Sequence, residues 1–223
     1  MSSSPWNPGA YLTYASERTQ PFIDLLQRTQ RPEATTIIDL GCGPGNGMPI
    51  LRAMYPHAQI VGVDSSAEML ERAAASTEAD AGIRYVHADI RDLTLEALGL
   101  DEPVDLVVSN AALQWLPDHR SLLPQLMELV APGGTLSVQI PGNFNAPSHR
   151  LLAEHAAKPE FVDHIDPNTL LQPTAELTDY ILDVAQPGWT VDAWETRYHH
   201  ILQGEDPVFQ WVSSTAARPV LQA

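Results

Sequence analysis

Cysteine occurs once in 223 residues, at Cys42, so the chain cannot close an internal disulfide. A reducing cytoplasm is the expected setting. Positive charge is scarce: 12 Lys and Arg stand against 28 Asp and Glu, a formal net charge of −16. Nucleic acid, which is held through clustered Lys and Arg, is thereby excluded as an expected partner. No apolar run approaches the eighteen residues of a membrane span, and Met1-Ser2-Ser3-Ser4-Pro5-Trp6 has no basic region leading into an apolar stretch. The chain is expected neither to cross a membrane nor to leave by a conventional signal. Internal repeats and low-complexity tracts are also missing. With 44% hydrophobic residues, the length is that of one globular domain with a substantial core.

Against these absences stands one dense motif, Thr36-Ile37-Ile38-Asp39-Leu40-Gly41-Cys42-Gly43-Pro44-Gly45-Asn46-Gly47. A β-branched apolar run, the mark of a strand buried on both faces, ends in an acid and breaks into alternating glycines. Glycines there let the backbone approach a ligand that side chains would obstruct. A second strand, Ile60-Val61-Gly62-Val63, ends in Asp64, where a carboxylate can accept ribose hydroxyls. The dinucleotide fingerprint G-x-G-x-x-G would need glycine at position 46, which is Asn46. A carboxylate at Asp39 also suits an ammonium group better than a pyrophosphate. Cys42 has no histidine nearby in sequence and is expected to be a small buried filler.

Strand and helix patterns alternate, which predicts a doubly wound, mostly parallel α/β sheet with helices on both faces. The expected order is a helix at 16–30, strands at 35–40, 59–63, 84–88, 104–108 and 135–140, and a helix at 119–130 before Pro132-Gly133-Gly134. Ser65 with Glu68 reads as a capping box for the helix carrying Met69 and Leu70. Residues 141–190 hold six prolines and predict a small helical cap. The alternation of Trp194, Thr196 and Tyr198 predicts a sixth strand over 190–200, with a helix at 206–216. The organisation is then one domain over 1–223. An N-terminal lid and helix occupy 1–30, the cofactor core 35–140, the cap and substrate region 141–190, and a C-terminal strand and helix 191–223.

Asp39, Asp64, Asp89 and Asn110 fall at four successive strand ends, the edge where open parallel sheets collect ligands. At these residues the chain resembles a known family. The D-L-G-C-G-P-G loop followed by V-D-S-S is similar to the S-adenosylmethionine site of class I methyltransferases. Trp6-Asn7-Pro8 with Tyr11, the run Asn110 to His119, Gln139-Ile140-Pro141-Gly142-Asn143, Trp194 to His200, and Trp211-Val212 with Arg218-Pro219 narrow the resemblance to the trans-aconitate methyltransferases, over essentially the whole chain.

What the resemblance implies is a Rossmann-like methyltransferase sheet with S-adenosyl-L-methionine as cofactor. Gly41 and Gly43 would approach its methionine end, Asp64 with Ser65 its ribose, and Asp89 with the Ile90 backbone its adenine. Asn110 and Ala111 would line the methionine side, and Arg18 would pair with its carboxylate. The family also closes with a seventh strand, for which no residues remain before Ala223, so a C-terminal segment is expected to be missing.

Methyl transfer to a carboxylate needs alignment and water exclusion more than a base, because carboxyl groups ionise near pH 4. Accordingly no catalytic acid or base is expected. There is no N-P-P-Tyr loop after strand four and no metal-ligand cluster of the kind catechol methylation uses. For a small acidic substrate the candidate donors and walls are Trp6, Tyr11, Gln114, Trp115, His119, Asn143, His149, Arg150 and Tyr198, with His199, His200 and Arg218 beside them. Trp6 and Tyr11 fit a closing lid, Trp115 a site wall, and Trp194 the core. Three other readings stay open: a different small acceptor, a cofactor-binding protein without turnover, and a nicotinamide oxidoreductase.

Overall fold

The computed structural model describes residues 15–29, 31–77, 82–161, 163–165, 174–213 and 217–221. Two compact units divide the chain. One comprises 19–140 and 177–193; the other comprises 1–18, 141–176 and 194–223.

The first unit is built on five parallel strands: β1 Thr36–Leu40, β2 Gln59–Asp64, β3 Ile83–His87, β4 Val104–Asn110 and β5 Val130–Gln139. Their order is β3-β2-β1-β4-β5, so the chain leaves β1 toward one edge and returns to its other side at β4. The helices are α1 Ala15–Thr29, α2 Met48–Met54, α3 Ala67–Ser76, α4 His119–Met127, and, from the later segment, α6 Leu177–Val184. Between α4 and α6 in the chain lies α5, Pro147–Ala156, in the second unit.

β1 and β2 carry β-branched residues on both faces because both faces are covered. One face presents Ile38, Leu40, Val61, Val63 and Val107, buried with Leu113, Leu123 and Leu126. The opposite face carries Ile37, Ile60, Leu106 and Val108, all essentially inaccessible, and Asp39 among them. On this face α1 brings Phe22 against the Gly47–Asp39 corner, and Thr29 Oγ1 lies 2.8 Å from Ser137 Oγ. At the strand ends, buried Ser109 Oγ donates to Leu40 O at 3.0 Å and couples β4 to β1.

α4 and α6 are locked together by side chains. Arg120 grips Asp183 through Nε at 2.6 Å and a second guanidinium nitrogen at 2.9 Å, and His119 Nε2 lies 2.8 Å from Tyr180 Oη.

Three expectations need correction. Residues 190–200 form no strand, because an extended chain alternates its side chains whether or not a ladder neighbour exists. The helix after β2 is capped one residue later, by Ser66, whose Oγ accepts from Met69 N at 3.3 Å; Ser65 is exposed. β5 begins at Val130, not 135: Val104 pairs with Val130 and Leu106 with Thr135, so Pro132-Gly133-Gly134 is accommodated as a bulge.

The second unit holds α5, α7 Pro207–Ser213 and the short α8 Arg218–Leu221. α7 lies within the helix predicted at 206–216, and α5 is a helix within the expected cap region.

Gly62 lies beneath the glycine loop, where an added Cβ would sit 2.8 Å from Met48 Cε, 2.8 Å from Tyr85 Cδ1 and 3.0 Å from Cys42 Sγ. Gly62→Ala is expected to lose about 1–3 kcal/mol of stability through overpacking, read as a lower urea midpoint with an unchanged slope.

Candidate functional site

The sheet reverses its order between β1 and β4, and ligands of parallel sheets collect beyond the carboxyl ends at such a point. The glycine loop leaves β1 there. Gly41 N and Cys42 N both donate to Val63 O, at 2.8 and 2.9 Å, so the loop is tied to the end of β2. Gly41 has φ +72°, and a Cβ on it would lie 2.3 Å from Ala112 Cβ, with Ile90 Cδ1 at 3.9 Å. The turn after β4 therefore lies too close to Gly41 for any side chain at that position. Gly43, at φ +55°, has nothing within 4 Å of its would-be Cβ. That open cradle is where a ligand can lie against the backbone.

Asp64 organises the cradle. Its Oδ2 accepts from Gly43 N and its Oδ1 from Ser66 N, each at 2.9 Å. Each oxygen keeps further lone-pair capacity for ligand hydroxyls. Asp39 is buried, and burial, with the Asp64 charge adding to it, pushes its carboxyl up to about 7. A buried carboxyl of this kind wants a cation. Cys42 is a buried thiol pushed well above its ordinary value, first by burial and then by Asp39 and Asp64; it fills space, as expected.

Register shows what the separate strand ends amount to. Asn110 pairs with Gln139, and Asp64 with His87, and ladder partners in parallel strands share a face. Gln139, Asn110, Asp64 and His87 thus form one polar row across the crest, on the face that also carries Asp39. Ala111, at φ +52°, occupies the strained left-handed turn that follows Asn110; its N donates to Gln139 O at 3.0 Å, and its O accepts from Gln114 Nε2 at 2.6 Å. Trp115, next along, is 48% exposed and offers an aromatic wall.

Other predicted residues have partners within the chain. Asp89 caps the turn Ile90–Asp92 and binds Arg91, at 2.9 Å to Nε and 2.5 Å to a terminal nitrogen. The Arg91 side-chain hydrogen bonds hold its carboxyl down at about 2. The Ile90 side chain reaches toward Gly41, with Cδ1 3.9 Å from where a Cβ there would sit. His119 has both ring nitrogens committed: Nδ1 donates to Leu116 O at 3.3 Å, and Nε2 lies 2.8 Å from Tyr180 Oη. The arginines of this unit are also spoken for: Arg72 meets Glu68, Arg120 meets Asp183, and Arg52 donates to three main-chain carbonyls.

In the second unit, Arg18 donates to Trp211 O at 3.1 Å with its guanidinium 5.0 Å from the indole centroid. His200 lies 5.0 Å from that indole and stacks on Tyr198. His149 sits edge-on to Phe144, and burial lowers its pKa. Exposed Arg150 lies 3.9 Å from Glu154, and Asn143 is exposed with its carbonyl accepting from Ala146 N. Trp6 and Tyr11 lie outside the described residues. Sequence reasoning assigned no role to Gln139, His87 or Ser109; the signal for the first two was their place at strand ends, which marked Asp64 and Asn110.

The nucleoside-and-ammonium ligand expected from the sequence fits this crest. An open glycine cradle, a two-way carboxylate at Asp64 and a buried carboxyl at Asp39 are what its backbone, ribose and cationic ends require.

Residues 37–134 match the family model described as Methyltransferase domain. The trans-aconitate 2-methyltransferase of Streptomyces coelicolor is 44% identical over 98% of this chain and 72% of its own length. That of Enterobacter sp. is 39% identical over 97% of this chain and 81% of its own length. Among solved structures, a putative methyltransferase from Haloferax volcanii, in complex with the Trm112 activator, superposes with a TM-score of 0.58 at 22% identity, covering 79% of this chain and 70% of that one. The plantazolicin methyltransferase in complex with SAH gives 0.57 at 16% identity, over 82% and 69%. At such identities these structures speak for the fold.

Asp39 sets a pH dependence whose sign is fixed. Its folded pKa lies above the unfolded value, so its contribution to stability is full below pH 4 and is lost as pH rises through 7. In the ligand-free protein, Asp39→Asn should match wild type in urea near pH 4 and exceed it at pH 8, by up to about 4 kcal/mol at 1.36 kcal/mol per pKa unit.

Proposed function

The chain belongs to the trans-aconitate methyltransferases, and from that premise we propose that it transfers a methyl group from S-adenosyl-L-methionine to one carboxylate of trans-aconitate, giving a methyl ester. The observation that carries the reading is the crest itself: an open glycine cradle between Asp64 and a buried Asp39, at the switch point of a parallel sheet.

S-Adenosyl-L-methionine, when bound, supplies a methyl carbon made electrophilic by its sulfonium. The rest is binding and alignment by this chain. Gly41 and Gly43 would admit the methionine backbone, Asp64 would accept from the ribose hydroxyls, and the main chain at Ile90 would meet the adenine. Asp39, ionised near the ammonium, would offset its charge, since a nearby cation draws a carboxyl back toward its ordinary range. Trp115 walls the crest from water. The nucleophilic carboxylate is already ionised at neutral pH, so no residue need take a proton. Within the second unit the proposed acceptor contacts are Asn143, His149, Arg150 and Tyr198. No described helix is long and apolar enough to cross a membrane. The proposed setting is the cytoplasm, where the buried thiol of Cys42 stays reduced.

Incubated with methyl-labelled cofactor and a panel of di- and tricarboxylic acids, the protein should yield a base-labile methyl ester, with trans-aconitate well ahead of cis-aconitate, citrate and isocitrate. Transfer to a hydroxyl or amine and to no acid would overturn the substrate while leaving the cofactor.

Gly43→Ala tests the cradle. A methyl group at φ +55° costs the fold about 1–2 kcal/mol. The same methyl fills the open space, so cofactor affinity by calorimetry should fall about tenfold or more.

A further inference from the structure

Three side-chain oxygens at the crest are buried and meet no donor: Asn110 Oδ1, Gln114 Oε1 and Gln139 Oε1. All three belong to one knot around Ala111. Asn110 precedes it, Gln114 Nε2 donates to its carbonyl at 2.6 Å, and Gln139 O accepts from its N at 3.0 Å. Asn110 and Gln139 are ladder partners on one face of the sheet. Gln114 cannot relieve its own deficit by turning its amide, because that would strip Ala111 O of its donor. A buried acceptor left unmet costs about 1–3 kcal/mol, so three of them around one residue call for a partner. Ala111 adds a second sign of a stored site, since an alanine at φ +52° is strained.

The missing partner must therefore donate hydrogen bonds. A carboxylate has none to give, and the same face already carries Asp39 and Asp64. An alkylammonium has three N–H donors and a positive charge. On the cofactor reading above, Asp64 at β2 would hold the nucleoside end and the glycine loop at β1 would admit the middle, which leaves the far end to β4 and β5.

We propose that Gln114 and Gln139, with Asn110, form the acceptor set for the ammonium group of the methyl donor's amino-acid end, anchoring the cofactor and not the acid that receives the methyl group. This rests on the cofactor reading above, and it moves Gln114 from the acceptor's side to the cofactor's. The two glutamines are neutral, so they hold the cation without adding charge to a crest that must also receive an anionic acceptor. They are positioning residues: loss of either lets the amino-acid end swing while the nucleoside end stays fixed.

The test compares two probes by calorimetry: S-adenosylhomocysteine, which keeps the ammonium, and 5′-methylthioadenosine, which lacks the whole amino-acid end. Gln114→Leu and Gln139→Leu should each weaken S-adenosylhomocysteine about tenfold, the value of one hydrogen bond to a charged group, and leave 5′-methylthioadenosine unchanged. The acceptor KM at saturating cofactor should also hold. Gln139→Glu keeps the shape and adds a charge, so it should bind S-adenosylhomocysteine as tightly as wild type or more tightly. Far-ultraviolet circular dichroism and melting temperature identify any variant that misfolds, and the Glu variant carries the test if a Leu variant does.

Unchanged S-adenosylhomocysteine affinity in folded variants, or a rise in acceptor KM with cofactor affinity intact, overturns the proposal alone. Should wild type bind neither probe, the cofactor reading falls and takes this inference with it.

Discussion

The carboxylate of Asp64 is the interaction on which the crest depends. One oxygen holds the glycine loop through Gly43 N and the other holds the start of the next loop through Ser66 N, each at 2.9 Å. Without it, a loop with three positive-φ glycines would have little to select one conformation from many. Its placement follows from β2, whose buried strand delivers Asp64 to the face shared with Asp39. Burial, with Asp64 adding to it, raises the Asp39 carboxyl to about 7.

From that follows a division of labour along the sheet. At the β2 and β3 ends, Asp64 and His87 present groups suited to hydroxyls, and His87 Nε2 donates to Ser65 O at 2.9 Å. After β1 the chain withdraws the side chains at positions 41 and 43, so that Ala112 can approach Gly41 and Gly43 stays open. At β4 and β5 stand the amides of Asn110 and Gln139. A polar group at each strand end of a buried sheet is costly unless paired. The crest leaves several of these groups incompletely paired, and that residual demand is what a ligand meets.

Charge sets a different constraint. With 28 acids against 12 bases, the chain cannot hold an acidic acceptor by a broad positive field. Most arginines of the sheet unit are spent on local partners, such as Arg120 on Asp183 and Arg91 on Asp89, which fix α6 and the turn after β3. Exposed pairs of this sort add little to stability, so their role is to define where elements sit. Recognition in this unit is left to main chain, amides and aromatic surface.

The sequence alone decided the fold class, the positions of all five strands to within a few residues, and the cofactor loop. Those features follow from local rules: β-branched runs buried on both faces, glycines at positive φ, an acid one strand further on. It also placed Asp39, Asp64 and Asn110 at strand ends. The tertiary structure decided what periodicity could not. An alternating segment at 190–200 looks the same with or without a ladder neighbour, and only pairing shows that it has none. His119 read as a candidate donor in sequence, and only the structure shows its ring meeting Tyr180, 61 residues on. Gln139 was one residue in a matching stretch until the β4–β5 register set it beside Asn110. Hydrogen-bond partners distant in the chain are fixed by the packing of whole elements, and a single sequence carries no record of that packing.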